Sequence, residues 1–290
     1  MRPARLISDD RLAVVLVAHG SRDPRAAAAT EALARAVRRA HPAWVVHAAY
    51  LDHAGPRPLD VLAALPARRT VLVPLLLTEA YHGRVDIPAV LEAAAGLPVT
   101  VTLAGILGPP AAPSLPAQHD PAVAAPGAAA RQALVEAAAP CVPGQRAAVA
   151  RGGGVPAELI DGLVRRLPVD GLDAVVLAAA GTRDAVARAT VGWAADALSA
   201  RLGLPCTVAY ASASPPAVVD AVDRLRAAGA RRVGVSAYFL APGFLYDLAA
   251  RSARAAGAVT VADPLGDAPE LVRLIAARVE AVVTHALAAA

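Results

Sequence analysis

Two histidines stand where an imidazole could do chemistry. His19 closes the apolar run Val14-Val15-Leu16-Val17-Ala18 and opens His19-Gly20-Ser21-Arg22-Asp23. His82 follows the run Val71–Leu77 through Thr78-Glu79-Ala80-Tyr81, and Gly83-Arg84-Val85-Asp86 follows it. Apolar runs of this length, bounded by polar residues, read as buried parallel strands. Ligands of open parallel sheets bind at the carboxyl ends of such strands, so two imidazoles from different strands can converge on one cleft. Two neutral imidazoles with open coordination positions suit a borderline divalent metal such as Fe, Co, Ni or Zn. Glu79 is placed to take protons from a ligand or help hold a metal. Ser21, Arg22, Arg25 and Arg84 are candidate substrate contacts, the arginines by bidentate pairing with carboxylates. Asp52-His53 follows the second strand and should face the same cleft; His53 is read first as structural and second as a third ligand.

The elements that must position these residues alternate. Strands are predicted at 12–18, 44–51, 70–77 and 98–104, with helices at 24–40, 56–65 and 87–95. Alternation of this kind implies an α/β fold with a parallel sheet flanked by helices. The course then repeats from about residue 172. Ala18-His19-Gly20-Ser21-Arg22-Asp23 matches Ala179-Ala180-Gly181-Thr182-Arg183-Asp184, Ala49-Tyr50 matches Ala209-Tyr210, and Leu107-Gly108 matches Leu265-Gly266. Two tandem domains are therefore expected, 1–108 and 169–290. The helix at 157–168, similar to the one that begins near Glu270, is expected to complete the first. Residues 109–156 form a Pro/Ala/Gly-rich insertion expected to be flexible.

The repeat also sorts chemistry from scaffold. Ala180 stands where the first half has His19, and the turn around it survives, so the turn does not need the imidazole. Likewise Pro242 and Leu245 stand where the first half has Glu79 and His82. One working site and one structural copy are expected.

Bulk composition narrows the field. Aromatics are 3% of the 290 residues, which excludes a stacking surface for single-stranded nucleic acid. The positive charge behind the net +4 is all arginine, since the chain contains no lysine, and most of the arginine pairs fall near predicted helix ends. Cys141 and Cys206 stand apart, so a cysteine-ligated iron–sulfur cluster is excluded within one chain. A reducing, cytoplasmic setting is expected, with no membrane association. No GxxxxGK[ST] loop is present, so no nucleotide is implied.

These motifs together resemble the sirohydrochlorin chelatase family, the CbiX-type class II chelatases, in its long two-domain form. His19-Gly20-Ser21-Arg22-Asp23-Pro24 is similar to the family's first motif. Leu77-Thr78, Tyr81-His82 and Val85-Asp86-Ile87-Pro88 are similar to its second, and Phe239-Leu240-Ala241-Pro242-Gly243 to its degenerate half. The resemblance implies two chelatase-like domains with a cleft between them. It implies that His19 and His82 bind the metal, Co²⁺ or Fe²⁺ with Ni²⁺ a further candidate, that is inserted into sirohydrochlorin on the way to cobalamin or sirohaem. The metal is then a substrate, with no permanently bound cofactor. Where many relatives have glutamate after the second strand this chain has Asp52. Two rival readings use the same residues: a carrier of metal or tetrapyrrole without catalysis, and phosphoryl transfer through His19.

Overall fold

The computed structural model describes residues 11–65, 69–79, 85–110 and 154–288. The insertion at 109–156 therefore lies almost wholly outside the described residues, with His119 and Cys141. The first half runs β1 (Ala13–Ala18), α1 (Pro24–Ala40), β2 (Val45–Tyr50), α2 (Pro58–Ala64), β3 (Arg69–Pro74), α3 (Ile87–Ala94) and β4 (Thr100–Leu103). Then follow α4 (Ala157–Arg166), β5 (Ala174–Ala179), α5 (Ala185–Leu202), β6 (Cys206–Tyr210), α6 (Val218–Ala227), β7 (Val233–Tyr238), α7 (Phe244–Ala255), β8 (Thr260–Val261) and α8 (Pro269–Ala288). The strands form two parallel sheets with the same topology, β2-β1-β3-β4 and β6-β5-β7-β8. Among the described residues no helix is long and apolar enough to cross a membrane.

Local chemistry sets the boundaries. Asp23 caps α1 by accepting the Arg25 amide at 2.9 Å, and Pro24 follows where a missing N–H costs nothing. The helix buries Thr30, Leu33, Ala34 and Val37, one stripe at helical spacing. Arg38 and Arg39 lie in its last turn and Arg165 and Arg166 in that of α4, where a cation suits the dipole.

The third strand is shorter than the apolar run that predicts it. Pairing with β1 reaches Pro74, which has no N–H to donate; the Leu75 amide to the Val17 carbonyl, 2.8 Å, is the last link. Leu75–Leu77 then leave the sheet, with the Leu76 carbonyl accepting the amides of Leu107 and Gly108. The run stays apolar because Leu75 is buried and the half-buried Leu77 packs against the shared core, which run length alone does not distinguish from a strand.

Each strand alternates between two cores. Val14 and Leu16 of β1 face the same cluster as Val175 and Leu177 of β5, so the two sheets share one continuous interior. Ala13, Val15 and Val17 face a separate outer cluster closed by α2 and α3. Val176 and Ala178 do the same beneath α6 and α7.

The last helices do not complete the halves in sequence order. Helix α4, expected to finish the first half, packs on α5 and β7 of the second, whereas α8 packs on α1 and β3 of the first. The two helices also pack on each other. At Gly162 a Cβ would lie 3.1 Å from Leu265 and 3.4 Å from Glu270, so glycine permits the approach. Arg166 donates to the Leu265 carbonyl at 2.8 Å, and Arg165 pairs with Glu270 at 3.1 Å. Similarity between α4 and α8 marks them as equivalent; it carries no information on which sheet each covers.

Candidate metal site

The two strands that lead to the histidine motifs are neighbours. β1 and β3 pair in parallel with Val17 opposite Pro74, so their carboxyl ends lie side by side. His19 follows β1 directly and is partly buried. His82, Tyr81 and Arg84 lie outside the described residues. Glu79 is described and partly exposed, at the near end of the same segment.

Gly20 sets the direction of the His19 turn. Its φ is +93°, and a Cβ there would lie 1.8 Å from the Asp52 carbonyl oxygen. Only glycine admits that approach in that conformation. The end of β2 is laced to the same turn: the Leu51 amide donates to Ala18 at 3.0 Å and the Asp52 amide to His19 at 2.8 Å. Asp52 and His53 are thus held beside His19 by backbone.

His53 comes closer to His19 than its sequence position suggests. The two rings meet edge to face with centroids 6.3 Å apart. His53 has φ +59°, a left-handed conformation uncommon for a residue with a Cβ. The Asp52 carboxylate accepts the His53 amide at 2.8 Å. The other Asp52 oxygen lies 3.4 Å from His53 Nε2, and Arg57 is 3.7 Å from Asp52 Oδ1. The His53 amide, then the His53, Arg57 and His19 side chains, hold the Asp52 carboxyl below its ordinary range. Among the described residues no three His, Cys, Asp or Glu side chains are already grouped as a metal centre.

The candidate substrate contacts divide. Ser21 is turned inward on its own loop, accepting the Asp23 amide at 3.1 Å. Arg22 is exposed. Arg25 is committed elsewhere: its guanidinium meets Asp23 at 2.5 Å and Asp247 of α7 at 2.6 Å, tying the halves together. The Asp23 carboxyl is held below its ordinary range chiefly by the hydrogen bond from the Arg25 side chain.

Beside His19 opens a cleft of about 610 Å³, counting its open mouth. His19, Ala27, Thr30 and Tyr50 line it from the first half, and Leu240, Ala241 and Gly266 from the second. A second cleft of about 630 Å³ mirrors it, with Ala180 and Tyr210 facing Leu77 and Thr78. Tyr238 at its wall donates to the Leu77 carbonyl at 3.2 Å. Burial pushes the Tyr238 phenol above its ordinary value, so it stays protonated. Cys206 is partly buried in β6, and desolvation pushes its thiol up to about 12, which makes it a poor ligand or nucleophile.

The duplication holds at the level of single bonds. Gly181 has φ +101° with a Cβ that would lie 1.8 Å from the Ser212 carbonyl oxygen. The Ser212 amide donates to Ala180 at 3.0 Å, and Asp184 caps α5 as Asp23 caps α1. Ala213 repeats the left-handed conformation of His53, at φ +64°. The second half keeps each of these turns while placing Ala180, Ser212 and Ala213 where the first has His19, Asp52 and His53. The change from Asp52-His53 to Ser212-Ala213 is the one trace of this corner that the sequence carries.

Solved structures with this architecture share little sequence with the chain. The SirB structure from Bacillus subtilis with Fe³⁺ matches with a TM-score of 0.65 at 18% identity, covering 93% of this chain and 94% of that one. The sirohydrochlorin chelatase SirB from Bacillus subtilis subspecies spizizenii, in complex with cobalt, matches with a TM-score of 0.65 at 17% identity over the same shares. A CbiX described as the terminal enzyme of sirohaem biosynthesis in denitrifying bacteria matches with a TM-score of 0.55 at 19% identity, covering 93% of this chain and 99% of that one. No curated protein sequence matches significantly. The model of the CbiX family matches residues 13–112 and again 174–282, the two halves derived above and well over half of the sequence; the chain belongs to the CbiX family.

Proposed function

We propose that this protein inserts a divalent metal ion, Co²⁺ or Fe²⁺, into sirohydrochlorin. The observation that carries the reading is His19 itself. It sits at the carboxyl end of β1 on a cleft lined by both halves, on a turn that the second half builds equally well around alanine. Family membership and the metals bound by the SirB structures support the choice of chemistry.

His19 and His82 hold the metal ion through neutral imidazoles, with the remaining positions open. An open site suits a cargo that must be released, whereas a closed four-ligand site would retain it. Metal insertion displaces two pyrrole N–H protons; Glu79 accepts one, and His82 the other once its nitrogen is freed by transfer of the metal to the macrocycle. Arg22 and Arg84 pair with the carboxylates of the macrocycle. Arg25 contributes by joining the two halves through Asp247 and meets the substrate only by exchanging that partner. Ser21 shapes the turn by which His19 is presented. No nucleotide or permanent cofactor enters the reaction, and the two isolated cysteines suit a reducing cytoplasm.

The test is an anaerobic absorbance assay of sirohydrochlorin with Co²⁺, Fe²⁺ or Ni²⁺, after subtraction of the spontaneous reaction. The rate should rise through roughly pH 6 to 8, because protons compete with metal for imidazole. His19→Ala should lose most of the enzymatic increment. Protein that binds Co²⁺ without accelerating insertion would instead be a carrier.

A further inference from the structure

We propose that Arg183, in the half without the imidazoles, pairs with a carboxylate of the tetrapyrrole and so positions the macrocycle. The inference deepens the chelatase reading and rests on it. What carries it is a residue that the second half kept. The turn after β5 has Ala180 in place of His19, yet it retains an arginine, Arg183, in place of Arg22. The turn has no structural use for that side chain. Gly181 makes the reversal at φ +101°. The Thr182 hydroxyl accepts the Asp184 amide at 3.1 Å, and the Asp184 carboxylate caps α5. Arg188 braces the turn from within α5, donating to the Thr182 carbonyl at 3.2 Å and to the Arg183 carbonyl at 2.8 Å. The Arg183 guanidinium takes part in none of these bonds. The residue is exposed, and among the described residues no carboxylate pairs with it. Arg25 differs, its charge being met by Asp23 and Asp247.

The position of the turn gives the free cation a use. Ala180, Gly181 and Thr182 line the second cleft. Leu75 and Leu240 line both clefts, which therefore form one continuous hollow between the halves. The His19 turn stands toward one end of it and the Arg183 turn toward the other. A flat ring with an apolar face and carboxylates around its edge fits such a hollow, the face against the leucines and the edge toward the two turns. One attachment leaves a ring free to turn in its own plane; Arg22 and Arg183, from opposite halves, supply two. A guanidinium suits the task because it meets a carboxylate through two parallel N–H bonds. Metal is held at one place and so needs imidazole in one half, whereas the ring is held at both ends. That difference explains why the second copy lost its histidines and kept its arginine.

The experiment titrates metal-free sirohydrochlorin into the full chain, reading bound macrocycle by its absorbance, and pairs this with steady-state insertion of Co²⁺. Arg183→Ala should weaken binding about fivefold, the size of a well-formed exposed ion pair. KM for sirohydrochlorin should rise by a similar factor, with kcat changed less and with Co²⁺ affinity and melting temperature near wild type. Arg183→Lys, which restores the charge without the fork, should recover part of the loss. The gap between wild type and Arg183→Ala should narrow as salt is raised. Arg231→Ala, at an exposed arginine before the amino end of β7, removes the same charge on the far side of the sheet and should bind as wild type does. Equal affinity in wild type and Arg183→Ala, or an equal loss in Arg231→Ala, would overturn the role of Arg183 and leave the chelatase reading standing. Binding that depends on Arg183 without accelerated insertion would sustain that role and overturn the chelatase reading. Wild-type protein that does not bind sirohydrochlorin would overturn both.

Discussion

At the scale of single residues the site depends on a glycine as much as on a histidine. Gly20 brings the His19 turn against the Asp52 carbonyl, a contact no side chain survives. Gly20→Ala imposes a left-handed conformation that alone costs roughly 1–3 kcal/mol, and the clash adds to it. The melting temperature should fall and Co²⁺ binding should weaken, because His19 and Asp52 move apart. Gly181→Ala meets the same geometry against Ser212. It should lower the melting temperature similarly and leave Co²⁺ binding intact. Melting and Co²⁺ titration of the two variants side by side check both statements. His19 was legible in the sequence because a strand, a turn and a repeat that lacks it all point to it. His53 was not legible by pattern, since a residue after a strand end has no periodicity to betray its neighbours. Its proximity to His19 comes from the laced turn, and only comparison of Asp52-His53 with Ser212-Ala213 carried a trace of it.

Among elements, the segment that leaves β3 is the one most dependent on its surroundings. Leu75–Leu77 run between the halves, and Tyr238 at the end of β7 holds the Leu77 carbonyl. Tyr238→Phe removes that donor and leaves a carbonyl short of a partner, a loss of about 1–3 kcal/mol. Because the segment leads toward Glu79 and His82, insertion rate should fall by more than the small change in melting temperature suggests; kinetics and melting measured on one preparation decide it. Acid should act on elements through their carboxylates. Asp23 caps α1, and Asp173 accepts the amides of Arg231 and Arg232, 2.7 and 2.8 Å, where β7 begins beside β5. Both have folded values below the ordinary one, Asp23 through the Arg25 side chain and Asp173 through the Arg232 and Arg231 amides. Groups so depressed stabilise the fold above the unfolded value and lose that contribution as pH falls through the folded one. Stability should hold to about pH 4 and decline below it, and Asp173→Asn should flatten the decline in a pH series of thermal melts. Strand and helix positions were largely legible, α1 to the residue, because Asp23-Pro24 is an unambiguous start. The excess length of β3 arose because burial between halves and burial within a sheet write the same apolar run.

For the molecule as a whole, the repeat was legible and the exchange of helices was not. The sheets share a core to which β1 and β5 both contribute, and α8 covers α1 and β3 of the half to which it does not belong in sequence. Removing residues from 269 onward should therefore unfold the first half as well as the second. Hydrogen exchange at the β1 and β3 amides would report it; protection retained there would show that the first half stands without α8.

The crossing of the last helices also sets an order of events in synthesis. The strands that carry His19 are made early, but the helix that closes their inner face follows the entire second half along the chain. A ribosome must release all of the scaffold copy before the working copy can fold to completion. Incomplete chains thus carry His19 without the cleft that both halves line.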